Sequence, residues 1–274
     1  MNELVKFWRL PEFGKLELLR ARYVTHAFAP HFHEGFAIGV ILSGAQEADY
    51  GRSARVMPEG TVCVLNPGEV HTGRAVNQNG WTYRMLYPNA EVLRQIATQL
   101  ADREQDVPFF PELVIDDSDL FTRILKLHRT LEQSDVSLLE RQSQFVETIG
   151  HLILRHADAK PAARTWKFYS KYTKKAREYL DQHYHAEMSL EQLADLVQLS
   201  PYYLLRLFKK EVGVTPHIYL THRRIMVAKQ LLTAGHSIAE VAYHTGFVDQ
   251  SHLTNRFKHI VGVTPGQYRI ERNS

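Results

Sequence analysis

At 274 residues the chain exceeds one typical domain of about 100–150 residues, so two domains are expected. Hydrophobic content of 44% and charged content of 23% are those of a globular protein, and no apolar run approaches the roughly 20 residues of a membrane span, which excludes one. The net charge of +3 is uneven: residues 164–274 carry 16 Lys and Arg against 9 Asp and Glu, while residues 1–163 carry 17 against 21. A basic back half favours a polyanionic partner, because each phosphate neutralised by Lys or Arg releases condensed counterions.

The first segment, Met1 to Gly14, mixes Glu3, Lys6, Arg9 and Glu12 with Leu4, Val5, Phe7, Trp8 and Leu10. It lacks the apolar region and small-residue cleavage site of a secretory signal, so a cytoplasmic protein is expected. It reads either as an arm that closes over the front domain or as a fixed strand. From Lys15 to Pro88 short β segments alternate with turn residues. They are Leu16 to Tyr23, Phe36 to Leu42, Ala45 to Tyr50, Thr61 to Leu65 and Trp81 to Tyr87, with breaks at Ser43-Gly44, Tyr50-Gly51, Pro58-Glu59-Gly60, Asn66-Pro67-Gly68 and Asn79-Gly80. This spacing predicts a small antiparallel barrel. The one cysteine, Cys63, lies in an apolar run; its solitude excludes an internal disulfide and a cysteine-cluster zinc site.

After Pro88 the period lengthens toward 3.6, predicting helices over Ala90 to Asp102, Ser118 to Gln133 and Ser137 to His156. The last carries an apolar stripe that includes Phe145 and Ile149 and fits either packing on the barrel or the seam of a homodimer. Residues 1–156 are thus read as a domain for effector binding and dimerisation, 157–166 as a linker and 167–274 as an all-helical domain. The fold class is α+β.

The helical part contains a repeat. Ser189-Leu190, Leu193-Ala194, Phe208-Lys209 and Val212-Gly213-Val214-Thr215-Pro216 recur as Ser237-Ile238, Val241-Ala242, Phe257-Lys258 and Val261-Gly262-Val263-Thr264-Pro265, with one residue added in the second turn. Each copy reads as a helix-turn-helix. A serine caps a short helix whose small Ala lets a second helix cross closely; then Ser200-Pro201 in one copy and Asp249 in the other start that second helix. Pro216 to Thr233 predicts a continuous helix between the copies, a rod able to set two recognition helices into successive major grooves, about 34 Å apart. The outward residues of the second helices include Arg206, Lys209, Gln250, Ser251, His252, Thr254, Asn255, Arg256 and Lys258. Gln and Asn pair with adenine, Arg with guanine, and Lys with phosphate, so duplex DNA is the implied partner.

Residues 167–272, above all Ile238 to Leu253 with Phe257-Lys258 and Gly262 to Arg269, resemble the AraC/XylS family of bacterial transcription regulators. The resemblance implies a sequence-specific regulator of promoter DNA, working with RNA polymerase and controlled by a small-molecule effector. It places Tyr202, Leu205 and Arg206, and Gln250, Ser251, His252, Thr254 and Asn255, at base-contacting positions. Leu205 is apolar where a polar reader is common. The front domain resembles the cupin-like effector domain of that family, through Pro30-His31-Phe32-His33 and Asn66-Pro67-Gly68-Glu69-Val70-His71. Metal-binding cupins need a carboxylate a few residues after the His-x-His, where Ala37 and Ile38 stand here. The reading is therefore a metal-free pocket, without cofactor, built from His31, His33, Asn66, His71, Trp81, Tyr83 and Arg84. Structural histidines, or a metal-dependent cupin enzyme fused to a DNA-binding module, are the alternatives.

Overall fold

The computed structural model describes residues 3–51, 53–133, 136–158 and 169–270. They fold as two compact units, a sheet with three helices and a bundle of helices, the short segment Phe28–His31 grouping with the second. Most of the predicted linker lies outside the described residues, as does the start proposed for the second domain.

The sheet has nine strands: β1 (Leu4–Leu10), β2 (Leu16–Tyr23), β3 (Phe28–His31), β4 (Ala37–Tyr50), β5 (Ser53–Pro58), β6 (Val62–Leu65), β7 (His71–Ala75), β8 (Trp81–Tyr87) and β9 (Val114–Ile115). Met1 to Gly14 holds a fixed strand rather than a loose arm, since β1 pairs with β2 antiparallel from Leu4↔Arg22 to Leu10↔Leu16. Two predicted strands are one: β4 runs through Ser43-Gly44 with a bulge between Ile41 and Ser43. Gly44 sits at φ 72°, and a Cβ there would collide with the Gly80 carbonyl, so the glycine bends a strand instead of ending it. The bend lets β4 serve two ladders, pairing with β6 and β8 through its first half and with β5 and β7 through its second.

Alternation assigns each strand residue to a face. Leu18, Ile38, Val40, Val62, Val64 and Leu86 share one face and form a core with α1 (Ala90–Ala101), α2 (Ser118–Glu132) and α3 (Leu138–His156) through Leu93, Ile124, Leu127, Phe145, Ile149 and Leu152. Phe145 and Ile149 are thus interior, which removes them from a dimer seam. The apolar residues that α3 leaves exposed are Leu138, Leu139, Val146 and Leu154. Asn89, Asp117 and Ser137 cap the three helices, each accepting a bond from a first-turn amide.

The second unit comprises α4 (Lys171–Gln182), α5 (Leu190–Val197), α6 (Pro201–Val212), α7 (Pro216–Ala234), α8 (Ile238–His244), α9 (Gln250–Val261) and α10 (Pro265–Ile270). The repeat is a structural one. Ser189 with Gln192 and Ser237 with Glu240 form reciprocal capping boxes at α5 and α8. Ser200 and Asp249 cap α6 and α9, which end at Gly213 and Gly262 in the left-handed region. The added residue is Val248: Leu199 and Phe247 donate equivalent bonds to Ala194 and Ala242, after which the first copy proceeds directly to its cap and the second interposes Val248, 83% exposed. The helix α7 is 19 residues long, about 28 Å at 1.5 Å per residue, with its only proline at the first position.

Candidate functional site

Each second helix of the repeat buries one stripe and presents the other. In α9, Leu253, Phe257 and Ile260 are buried, while Gln250, Ser251, Asn255, Arg256 and Lys258 are exposed. His252 and Thr254 are half-buried. The His252 ring stands edge-on to Phe247 at 5.3 Å, and its Nε2 accepts from Arg256 Nε at 3.4 Å, so it orients the arginine more than it reaches outward. In α6, Leu204 and Phe208 are buried and Arg206, Lys209 and Lys210 exposed. The side chain of Tyr202 lies outside the described residues.

Leu205 departs from the sequence expectation. It is half-buried and lines an apolar groove of about 210 Å³ with Leu180, Met188, Leu190, Leu193 and Leu220. Its apolar character serves packing within the unit, and Arg206, Lys209 and Lys210 are the charged side chains on the exposed side of α6. His217 is held below its ordinary pKa, by burial first and then by Arg256, Arg224 and His252.

In the first unit the predicted pocket residues separate. Registers Tyr23↔Trp81, Ala21↔Tyr83 and Leu19↔Met85 put these side chains on the sheet face opposite the helical core. There Tyr23, Trp81 and Tyr83 form a ring cluster with centroids 5.4–6.0 Å apart. Trp81 Nε1 is buried with no hydrogen-bond partner among the described residues. Burial pushes the Tyr23 and Tyr83 hydroxyls well above their ordinary pKa, and the Cys63 thiol up to about 12, so all stay protonated.

Arg84 belongs to the other face and is a correction to the predicted set. It donates from one Nη to Glu132 Oε2 at 2.7 Å and lies 2.9 Å from His128 Nδ1, both on α2. Lys6 and Arg20 reach the other oxygen of Glu132, each at 3.0 Å, giving one carboxylate three cations. Burial would raise the Glu132 pKa, but bonds from Arg84 and Lys6 outweigh it and hold it down to about 2. Asn66 is the second correction: its amide exchanges bonds with the Phe110 backbone, Nδ2 to O at 2.8 Å and N to Oδ1 at 2.9 Å, so it fastens a loop.

His33 and His71, both in the first unit, lie with ring centroids 5.1 Å apart, while His31 groups with the second unit. His33 also stacks obliquely on Tyr87, ring centroids 5.1 Å apart, a residue sequence reading missed although period two from Tyr83 and Met85 reaches it.

The comparisons with known proteins agree with this arrangement. Residues 13–148 match the AraC-like ligand binding domain and residues 193–271 a helix-turn-helix domain. The chain is 28% identical over 238 residues to the uncharacterized HTH-type transcriptional regulator YbfI of Bacillus subtilis, covering 87% of this chain and 86% of that one. It is 23% identical to the HTH-type transcriptional activator RhaS of an Enterobacter species, over 93% and 92% of the two chains. ToxT from Vibrio cholerae shares the fold, with a TM-score of 0.51 at 11% identity over 100% of this chain and 98% of that one. Among the described residues no helix is long and apolar enough to cross a membrane. A ligand-binding sheet domain followed by two helix-turn-helix units makes this chain a member of the AraC family of DNA-binding transcription regulators.

Proposed function

We propose that the chain reads promoter DNA through the exposed stripes of α6 and α9, under the control of a small molecule bound on the aromatic face of the sheet. One observation carries the reading of DNA. The helix α9 buries three apolar residues and turns Gln250, Ser251, Asn255, Arg256 and Lys258 outward, a set matched to base edges and phosphates. For the effector, the supporting features are the ring cluster of Tyr23, Trp81 and Tyr83, the buried donor on Trp81 and the nearby His33 and Tyr87. An apolar wall with a few polar groups is what a small-molecule site requires.

The regulator acts in the cytoplasm as a homodimer, with the outward apolar residues of α3 as the seam and RNA polymerase as the further partner. The domains in this scheme are residues 1–156 and 167–274, joined by 157–166. Effector control requires that the ligand bind one arrangement of the dimer more tightly than another. The test is a thermal-shift screen of small molecules on the full chain, followed by footprinting of selected duplex sites with and without the hit. A hit that changes the footprint supports the scheme; a chain with no preference among duplex sequences at moderate salt overturns it.

A further inference from the structure

Counted from their caps, Ser200 and Asp249, α6 and α9 correspond residue for residue: each runs 12 residues and closes on a left-handed glycine, Gly213 or Gly262. The buried stripe is kept, Leu204 and Phe208 answering to Leu253 and Phe257. So is the charged end, where Lys209 and Lys258 hold the same place and both are exposed. A lysine there suits phosphate, which fixes the helix on a duplex without choosing a sequence.

The other outward places have diverged, and in one direction. Where α9 begins with Gln250 and Ser251, both exposed, α6 begins with Pro201 and Tyr202, and proline brings no donor. One turn further, Thr254, Asn255 and Arg256 answer to Leu205, Arg206 and Leu207. Leu205 is held in the apolar groove of its own unit and Leu207 is half-buried, which leaves Arg206 as the polar member of that trio in α6. The first turns of a recognition helix are the part that meets base edges. There α9 offers two carboxamides, Gln250 and Asn255, each able to make two bonds to adenine, while α6 offers one guanidinium, whose preferred base is guanine. The remaining exposed groups of α6, Tyr203, Lys209 and Lys210, are of the kinds that hold phosphate and sugar.

We propose that the two helix-turn-helix units divide the labour: α9 selects the sequence, while α6 supplies grip on the backbone and a single guanine contact through Arg206. The inference rests on the reading of DNA given above and adds an asymmetry to it. One segment of the operator is specified over several base pairs, and the segment one helical turn away tolerates most substitutions. The permissive segment always lies on the α6 side, which sets the direction of the helical unit on its site.

Selection from random DNA tests this. The full chain is equilibrated at moderate salt with duplexes carrying a random window of about 25 base pairs, enough for two grooves one turn apart, and the retained molecules are sequenced. The expected preference fills one segment and, one turn away, reduces to a single guanine. Base-pair changes in the first segment should lower affinity at least about tenfold, as for a lost bidentate contact, and those beside the guanine in the second less than about threefold. Gln250→Ala and Asn255→Ala flatten the first segment only. Arg206→Asn moves the favoured base of the second from guanine to adenine, the base that asparagine pairs with. All three residues are exposed, and variants with the wild-type melting temperature are the ones compared. Two segments of equal strength, or a first segment that responds to Arg206 rather than to Gln250 and Asn255, overturn the division of labour and leave the reading of DNA intact. A pool without enrichment overturns the reading of DNA and this inference with it.

Discussion

Gln198 and Gly246 occupy the same corner of the two helix-turn-helix units, each nine residues after its capping serine and each in the left-handed region, at φ 57° and 74°. The tolerance of the two corners differs. A Cβ on Gly246 would collide with the carbonyl of His185, while Gln198 bears its side chain at the cost of a conformation disfavoured by about 1–2 kcal/mol. Gly246→Ala is therefore expected to destabilise the helical unit well beyond the roughly 1 kcal/mol of an average substitution. Gln198→Gly should stabilise it by about 0.5 kcal/mol, the relief of strain being partly offset by the flexibility of glycine when unfolded. Denaturant melts of both variants check the opposite signs.

Base and phosphate contacts are separable by experiment. Gln250→Ala and Arg206→Ala should each cost about 1–3 kcal/mol of binding at particular base pairs and relax the preference there. Lys209→Ala and Lys258→Ala should weaken all sequences alike and lower the slope of log affinity against log salt by about 1. Binding isotherms on a selected site, its point variants and a salt series distinguish the two classes.

Glu132 neutralises Arg84, whose side chain is 9% exposed, and ties β1 and β2 to α2 through Lys6 and Arg20. In Glu132→Gln the buried guanidinium loses its counter-ion, with an expected loss of about 3 kcal/mol, the low end for an uncompensated buried charge. Lys6→Ala should cost under about 1 kcal/mol, because its ammonium is half-exposed and screened. Acid acts on the same group: its folded pKa, about 2, lies below that of a free carboxylate, so its contribution is whole above about pH 4.5 and lost as pH falls toward 2.

His128 gives a different pH window. Arg84 can only donate, so His128 Nδ1 accepts from it, and Nε2–H donates to the Met85 carbonyl at 3.2 Å. Burial, then the Arg84 charge, hold its pKa down to about 4. Between about pH 6.5 and 4 the unfolded chain takes up a proton that the folded chain refuses, so stability falls as pH falls through that range. His128→Gln can keep both bonds without titrating, and its stability should vary less steeply with pH across the window than that of the wild type.

The proposed dimer seam is tested on the outer face of α3. Leu139→Glu and Val146→Glu alter residues 75% and 46% exposed, so they should leave the fold intact and shift sedimentation from dimer to monomer. Unchanged sedimentation would exclude α3 as the seam.

Local chemistry was the legible part. Capping serines, Pro at the first helical position and glycine at the last turn are written within a few residues of where they act, and the repeat doubled the signal; the caps of α5, α6, α8 and α9 stand where the sequence put them. Strands β2 and β8 were readable from alternation. What escaped depends on partners distant in the chain. The facing of Arg84 is set by α2, some 44 residues later; Asn66 is claimed by Phe110; and Leu205 is apolar because a groove formed by four helices receives it. The Ser43-Gly44 pair carried the chemistry of a turn, yet pairing with β8 as far as Gly44 and with β5 from Ala45 onward kept the strand whole.

The helix α7 has a consequence for the DNA. With no glycine and no proline past its first position, it cannot stretch, hinge or bend to suit a site. Any mismatch between the protein's fixed reach and the groove repeat is then absorbed by the duplex, at a deformation cost of order 1–6 kcal/mol that varies with how readily the intervening steps kink. Base pairs that no side chain touches thereby enter the selection of promoters, and a pyrimidine–purine step midway between the two contacted segments should count in favour of a site.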